Sequence, residues 1–273
     1  MAATLAGVRI AFVGAGNMAE AMVRGLVAAQ AVAAADVACA DPSETRRDLF
    51  ASLGCRAFEE NAEAVRGAAL VVLAVKPQQM DAALASIAPA LGEKACILSI
   101  AAGVPTGRIE SKLAGARVVR AMPNTPLLVG RGAVALAAGA TANDEDLALA
   151  RAVFEPACLV VLEVEERHLD AVTAVSGSGP AYFFRLVEAM AEAGEAEGLA
   201  RADALALAAA TLAGSAELLA GSGEPPEALR RRVTSPGGTT QAAMESFDAS
   251  GAYAALVAAV RRAAARSREL ARR

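Results

Sequence analysis

Histidine and lysine are scarce in this chain. Among 273 residues there is no tryptophan, one histidine (His168) and three lysines, which are Lys76, Lys94 and Lys112. The sequence beyond His168 therefore contains neither residue type. Enzymes that reduce a carbonyl usually need an acid or base of suitable pKa beside the hydride path. If the chain is a reductase, the scarcity favours a reaction that depends on positioning more than on a strong acid.

Other features are also missing. The four cysteines have neither metal-ligand nor redox-pair spacing, so we expect no metal site and a reducing cytoplasm. The net charge of −4 and pI near 5.3 favour neither nucleic acid nor an anionic membrane as a partner. We find no uninterrupted apolar run of about 18 residues and no signal-like N-terminus, and therefore expect no membrane association.

Apolar runs alternate with helical patterns in the first part of the chain. The runs that predict strands are 8–13, 36–40, 69–75, 95–100, 118–122, 133–137 and 158–162. This alternation predicts an α/β domain with a doubly wound parallel sheet. We place it at residues 1–163.

Only helical patterns follow. The predicted helices are 180–197, 201–220, 225–232, 238–247 and 251–271, within a helical domain at residues 164–273. These helices are rich in alanine, and five of them in about 110 residues make a thin core. We therefore expect a second copy of the chain to complete the domain, with a self-sufficient helical domain as the alternative.

A glycine-rich turn follows the first predicted strand. Gly14, Gly16 and Ala19 have the spacing of a dinucleotide fingerprint between a strand and a helix. The first glycine makes the tight turn, the second lets a pyrophosphate approach, and the small third residue lets helix and strand pack closely. Residues 1–163 are thus predicted to be a Rossmann-like dinucleotide-binding domain.

The residues after the second strand leave the choice of cofactor open. Asp41 lies about 20 residues beyond the fingerprint, where a carboxylate usually takes the ribose hydroxyls of NAD. Ser43, Arg46 and Arg47 follow on the next helix and could accept the 2′-phosphate of NADP, although the arginines could equally form a solvated face. Asn61 is a further cofactor candidate or a local helix cap.

Two strand ends carry proline. Lys76 and Pro77 end one strand, so the carbonyls around Ala74–Lys76 should lie at the carboxyl edge of the sheet, where ligands bind in such folds. Pro123 and Pro126 make a stiff loop that presents Asn124. We take Asn124 as a cofactor-site candidate or as a turn residue that satisfies its own backbone.

Two turns interrupt the helical part, at Ser176–Pro180 and Ser235–Thr240. Glycine and proline are costly inside helices, so these turns suggest N–H groups held open at helix starts, where an anion can bind. Plain helix–helix turns are the alternative. The second turn could hold a substrate carboxylate with the N–H groups of Gly237–Thr240. The hydroxyls of Thr240 and Ser235 are candidates for relaying a proton. Because the helical part has no lysine or catalytic-looking histidine, reduction of a C=N bond is favoured over reduction of a C=O bond.

Six segments together resemble the pyrroline-5-carboxylate reductase family. In chain order they are Phe12–Met18, Leu73–Pro77, Ser99–Gly103, Met122–Pro126, Ser176–Tyr182 and Val233–Thr240. They span nearly the whole chain in the family's order, and the last two are highly specific to the family. One departure concerns Asp41, where family members often have a small hydroxyl residue or an arginine follows, whereas Pro42 follows here. Because of this departure, the resemblance leaves the choice between NADPH and NADH open.

The resemblance implies the NAD(P)H-dependent reduction of 1-pyrroline-5-carboxylate to L-proline, the last step of proline biosynthesis. It implies a helical domain that interlocks with its twin in a homodimer, active sites between nucleotide and helical domains, and assembly of dimers in some members. Ser235, Gly238, Thr239 and Thr240 would hold the carboxylate, and Thr240 would donate the proton. The residues that would line the cofactor are Val13, Gly14, Ala15, Gly16, Asn17, Met18, Asn61, Ala74, Val75, Lys76, Pro77, Ile100, Ala101 and Ala102.

Two other functions fit the same plan. One is a dehydrogenase of the 2-hydroxyacid type, which the lack of lysine in the helical part disfavours. The other is a non-catalytic NAD(P)-sensing module that binds a partner through its helices.

Overall fold

The chain forms two compact units in this computed structural model, which describes residues 4–271. Unit 1 runs to Gly177 and takes in the chain from Ala263 on, whereas unit 2 is Ser178–Arg262. The last strand ends at Glu163, the residue at which the predicted first domain also ends. The residues after it nevertheless group with unit 1, because Leu169 packs against Ala135 and Ala137 of the sheet.

Unit 1 contains one sheet, in which all seven predicted strands are present. An eighth, short strand at Arg56–Phe58 was not predicted. The strands are β1 Ile10–Val13, β2 Val37–Ala40, β3 Arg56–Phe58, β4 Leu70–Leu73, β5 Cys96–Ser99, β6 Arg117–Pro123, β7 Gly132–Ala138 and β8 Cys158–Glu163.

The sheet order is β3-β2-β1-β4-β5-β6-β7-β8. Every neighbouring pair is parallel except β6 and β7, which pair antiparallel with Ala121 opposite Leu136. The prediction of a parallel sheet is therefore wrong for this pair of strands. The connection from Pro123 to Gly132 is too short for the crossover that a parallel pair requires.

Helices cover both faces of the sheet. In unit 1 they are α1 Asn17–Ala28, α2 Glu44–Ser52, α3 Asn61–Val65, α4 Met80–Ile87, α5 Thr106–Lys112, α6 Asp144–Phe154 and α7 Leu169–Val172. Side chains of a strand alternate between faces, so Phe12 of β1 packs with Met22 and Phe154, whereas Val13 packs with Leu84. Burying each large side chain contributes about 1.5–3 kcal/mol.

The end of the chain returns to unit 1. Ser267 is buried, and its hydroxyl donates to Asp170 Oδ1 at 2.6 Å. Leu270 Cβ lies 3.4 Å from the position that a Cβ on Gly103 would occupy. Unit 2 is therefore inserted between two stretches of unit 1.

Unit 2 is helical, with the five helices that the sequence predicted. They are α8 Gly179–Ala196, α9 Arg201–Ser222, α10 Pro226–Arg232, α11 Thr239–Ala249 and α12 Ala252–Ala271, of which the last extends into unit 1. The buried residues of α8 and α9 are all small: Gly179, Ala191, Ala204 and Ala208. Helices α10 and α11 have no buried residue.

One helix within residues 4–271 is long and apolar enough, by length and composition alone, to cross a membrane. It is α9, which has 22 residues and lies mostly exposed in the single chain. It contains no uninterrupted apolar run of 18 residues, because Asp203 and Glu217 lie within it.

Candidate functional site

Gly14 lies where the fingerprint turn meets the end of β4. Its φ is +94°, and a Cβ placed on it would lie 2.9 Å from the carbonyl oxygen of Ala74 and 3.1 Å from Val75 Cγ1. The neighbouring backbone is tied to β1, because Ala74 N–H donates to Val13 O at 2.8 Å. Only glycine fits both the dihedral angle and the space.

The N-terminus of α1 begins directly after this turn. Gly16 is its N-cap, with φ −71° and ψ 179°, and no side chain caps the helix. The first helical bond runs from Glu20 N–H to Gly16 O, so the preceding N–H groups have no acceptor within the helix. Gly16 and Asn17 are exposed. The end of α1 is therefore open to an anion such as a pyrophosphate.

A cavity of about 510 Å³ lies at the carboxyl ends of β1, β2 and β4. Seven of the predicted cofactor residues line it: Gly14, Gly16, Asp41, Asn61, Ala74, Val75 and Lys76. The residues that the sequence prediction missed are Ala40, Pro42, Gln78, Gln79, Ala82, Ala83 and Ser86. The two glutamines directly follow Pro77, so their position after a strand end was the available signal.

Asn61 is the first residue of α3 and is held by a side chain of α4. Its Nδ2 donates to Ser86 Oγ at 2.9 Å, and that hydroxyl donates to Ala83 O at 2.7 Å. This chain of hydrogen bonds fixes the Asn61 amide in the cavity wall. The two residues are 25 positions apart in the sequence, so the pattern alone did not reveal their contact.

Asp41 follows the end of β2, and both of its carboxylate oxygens accept backbone hydrogen bonds. Oδ1 accepts from Ser43 N–H and Oδ2 from Ala15 N–H, each at 2.9 Å. The first bond closes the turn into α2, and the second ties β2 to the fingerprint loop. Asp41 is thus fixed in position beside Gly14 and Gly16.

Nine predicted cofactor residues do not line this cavity. Val13, the last residue of β1, and Ala15, a residue of the loop itself, are fully buried. Asn124 is 9% exposed, and its amide is used within unit 1, since Oδ1 accepts from Ala133 N–H at 2.8 Å and Nδ2 donates to Ser176 O at 3.2 Å. The remaining six belong to segments beside the cavity: Asn17, Met18, Pro77, Ile100, Ala101 and Ala102.

In unit 2 the predicted substrate turn is a Pro-Gly turn that leads into α11. Gly238 N–H donates to Ser235 O at 3.0 Å, and Gly237 has φ +70°. Proline at the second position and a positive φ at the third identify a type II turn. A Cβ on Gly238 would lie 2.4 Å from Ser235 Oγ and 3.1 Å from Ser235 O, so a larger residue here would displace the Ser235 side chain.

The turn leaves fewer amides open than the sequence predicted. The N–H groups of Gly237 and Gly238 are already bonded, to Gln241 Oε1 at 2.7 Å and to Ser235 O. These two amides are therefore not available, because closing the turn consumes them. The first helical bond of α11 runs from Ala242 N–H to Gly238 O. The N–H groups of Thr239, Thr240 and Gln241 come before it and have no helical acceptor.

Two of the hydroxyls at this turn are exposed, those of Ser235 and Thr239, and Thr240 is half-buried. No side chain caps α11, so none of the three hydroxyls is used there. The side chains of Arg230–Arg232 precede the turn, and Arg232 pairs with Glu224.

His168, the one histidine of the chain, does not line the dinucleotide cavity. His168 is exposed and belongs to the short turn Glu166–His168 in unit 1. Within residues 4–271, no group of three or more His, Cys, Asp or Glu side chains is arranged to hold a metal ion. Unit 2 contains no lysine and no histidine.

Two family models match the chain. Residues 166–270 match the family described as pyrroline-5-carboxylate reductase dimerisation. Residues 9–103 match the family described as NADP oxidoreductase, coenzyme F420-dependent.

Close relatives cover almost the full length. The pyrroline-5-carboxylate reductase of Pseudomonas aeruginosa is 46% identical over 96% of this chain and 97% of its own. Among solved structures, a pyrroline-5-carboxylate reductase from Coxiella burnetii is similar with a TM-score of 0.91 and 35% identity, over 96% of this chain and 98% of that one. A pyrroline carboxylate reductase from Plasmodium falciparum with NADP bound has a TM-score of 0.86 and 28% identity, over 97% and 98%.

Proposed function

This chain belongs to the pyrroline-5-carboxylate reductase family, and we propose how its residues divide the work of that reaction. It catalyses the NAD(P)H-dependent reduction of 1-pyrroline-5-carboxylate to L-proline. Unit 1 supplies the dinucleotide site, and unit 2 supplies the groups that hold the substrate and deliver a proton.

The main observation in favour of a dinucleotide site is that Gly14, in the tight turn after β1, is followed directly by the uncapped N-terminus of α1. A Cβ at Gly14 would meet the Ala74 carbonyl, and the first N–H groups of α1 have no helical acceptor. This arrangement fits a pyrophosphate and two flanking riboses, with Asp41 and Asn61 in the cavity wall. When bound, the reduced nicotinamide supplies the hydride.

The substrate carboxylate is held at the start of α11. The N–H groups of Thr239, Thr240 and Gln241 provide donors, and the positive end of the helix dipole adds attraction for an anion. The type II turn before them keeps Ser235 and Gly238 in contact. Because these donors belong to the backbone, the site needs no cationic side chain.

The Thr240 hydroxyl donates a proton to the ring nitrogen and recovers one from water. Unit 2 has no lysine or histidine, so we assign the transfer to this hydroxyl, which lies at the same helix start as the proposed carboxylate donors. A protonated imine is already electrophilic, so its reduction needs positioning more than a strong acid. A carbonyl would need stabilisation of an alkoxide, which makes the 2-hydroxyacid reaction the poorer fit.

Turnover tests the proposal directly. The purified protein is mixed with 1-pyrroline-5-carboxylate and with NADPH or NADH, and the absorbance of the reduced nicotinamide is followed. We expect loss of absorbance and formation of proline. Oxidation of 2-hydroxyacids without imine reduction would favour the alternative dehydrogenase, and tight nucleotide binding without any turnover would favour a sensing module.

Thr240→Ala tests the role of the hydroxyl. Positioned proton donors contribute about 100-fold or more to rate, so we expect kcat to fall by about that factor. Thr240→Ser should restore most of it. Thr211→Ala is the control, because Thr211 lies on α9 and its hydroxyl donates to its own helix at Leu207 O. Unchanged kcat and KM in Thr240→Ala would remove the hydroxyl from the mechanism.

The dimerisation family that covers unit 2 explains its exposed apolar helices. The chain forms a homodimer through this region, and we propose that the second copy, and not lipid, covers α9. Assembly of dimers into a larger oligomer and a cytoplasmic location without nucleic-acid partners stay predictions. Light scattering of the purified protein and fractionation of cells that express it test them.

A further inference from the structure

We propose that Asp41 makes this enzyme prefer NADH over NADPH. The inference rests on the proposed dinucleotide site in unit 1 and adds the identity of the preferred cofactor. NADP differs from NAD by one phosphate on the 2′-oxygen of the adenine ribose. The end of β2 is where that ribose lies in folds of this type.

The carboxylate of Asp41 is oriented to accept ribose hydroxyls. A carboxylate offers about four lone-pair sites, and the bonds from Ala15 N–H and Ser43 N–H use two of them. The other lone-pair sites of the carboxylate are open to the cavity, because Asp41 lines it. They can accept the 2′- and 3′-hydroxyls of NAD, whereas a 2′-phosphate would place like charges in contact.

Several donors near the Asp41 carboxylate are already engaged within unit 1. Ser43 N–H, at the start of α2, is held by Asp41. Arg46 forms an ion pair with Glu20 at 3.0 Å and also donates to Ala15 O. Arg47 donates to Asp41 O and Pro42 O, each at 2.9 Å. Both guanidinium groups are thus held by acceptors of unit 1, and the charge of Arg46 is already paired with that of Glu20.

Among the described residues that line the cavity, Lys76 is the one with a positive charge, and it lies away from the Asp41 end. It follows β4, while Asp41 follows β2, and β1 lies between the two. Two strand spacings separate these ends by about 9.6 Å. Lys76 is therefore placed for the pyrophosphate or the nicotinamide half and does not offset the charge of Asp41 at the adenine ribose.

Binding without substrate tests the inference, with calorimetric titration of NAD⁺ and NADP⁺ and of the fragments ADP and 2′,5′-ADP. Two like charges in contact near a protein surface justify an expected preference for NAD⁺ of about tenfold or more. Asp41→Ser should weaken NAD⁺ and strengthen NADP⁺, so that the preference disappears or reverses. Asp41→Asn keeps the side-chain shape and one acceptor oxygen, and should lose the preference if charge is its cause.

Asp48→Asn is the matched control. Asp48 is exposed on α2 and does not line the cavity, so it removes the same charge without touching the site. It should leave the affinity ratio unchanged. Tighter binding of NADP⁺ by the unaltered protein, or an unchanged ratio in both folded Asp41 variants, would overturn the inference while the reductase function stands. If neither dinucleotide bound, the proposed site itself would fail.

Discussion

Units 1 and 2 bury their apolar side chains to very different degrees. In unit 1, large side chains such as Phe12, Phe50 and Phe154 are fully buried between helices and sheet. In unit 2, the buried residues of α8 and α9 are glycine and alanine only, while Phe184 and Leu218 are 64% and 68% exposed. Unit 1 thus has its own core, and unit 2 leaves its large apolar residues for another surface.

This difference matches the chemistry of the two halves. The dinucleotide cavity is built from strand ends that a complete core holds in place, as the contact of Gly14 with Ala74 shows. The proposed carboxylate site depends on a short turn before α11, a helix without buried residues in the single chain. We therefore expect cofactor binding to survive the loss of the dimer and substrate reduction to require it.

Leu218→Asp should have the largest effect, because it places a carboxylate in the surface that the second copy covers. An unpaired charge buried in an apolar interface costs several kcal/mol. We expect dissociation to monomers at micromolar concentration, loss of imine reduction and retention of dinucleotide binding. Sedimentation equilibrium and calorimetric titration measure these. The control Glu217→Asp puts an aspartate one position away and should remain dimeric, and a dimeric Leu218→Asp protein would contradict the comparison.

Gly14→Val tests the opposite half. The added side chain would overlap the Ala74 carbonyl at a φ of +94°, so the fingerprint loop must move. We expect dinucleotide affinity to fall about 100-fold while the dimer stays intact, since strain of this type costs of order 1–3 kcal/mol and clash adds to it. Titration and light scattering separate the two effects.

Gly115→Val provides the matched control for this change. Gly115 has φ +77°, but no atom lies within 4 Å of its Cβ position. The variant carries similar backbone strain away from the site, so it should lower the thermal midpoint and keep cofactor affinity. Equal affinity in Gly14→Val and Gly115→Val would show that the close approach at Ala74 has no role.

The smallest expected effect is the dependence of stability on pH that comes from the four cysteines, all of which lie in unit 1. Burial raises the pKa of Cys39 and Cys96 to about 12 and that of Cys158 to about 11, and it also raises the pKa of Cys55. Because the folded thiols stay neutral while unfolded ones ionise near pH 9, stability from this source is full below that pH. It should decline as the pH rises toward 12.

Thiol titration at pH 8 measures how accessible the four cysteines are to a reagent in solution. We expect the buried Cys39, Cys55 and Cys96 not to react with a chromogenic disulfide in the native dimer or in the Leu218→Asp monomer, the half-buried Cys158 to react slowly, and all four to react in denaturant. Rapid labelling of the monomer would mean that unit 1 does not keep its core when unit 2 loses its partner.

The sequence predicted the long elements well, because their apolar residues repeat with a clear period. Strand β3 was missed since Arg56–Phe58 has three residues, one of them charged and exposed. The antiparallel entry of β7 was missed as well, although the short stretch after Pro123 carried the signal. Patterns of hydrophobicity determine which segments form strands but not the direction in which the chain returns.

The candidate site was predictable at its glycines and less so at its polar groups. Gly14 and Gly237 have positive φ angles, which favour glycine and which a motif can therefore encode. The partners of Asp41 and Asn124 come from contacts 26 and 52 residues away, at Ala15 N–H and Ser176 O. Such partners depend on the folded sheet, so a residue's type and position alone did not show how its side chain is used.

The hydrogen bond from Ser267 to Asp170 has a consequence for synthesis of the chain. During translation, the nucleotide-binding half leaves the ribosome long before Ser267 and Leu270 exist. Until they emerge, Asp170 lacks its hydroxyl donor and Gly103 its neighbour. A premature stop codon at Arg262 would therefore damage the first half of the protein as well as the last.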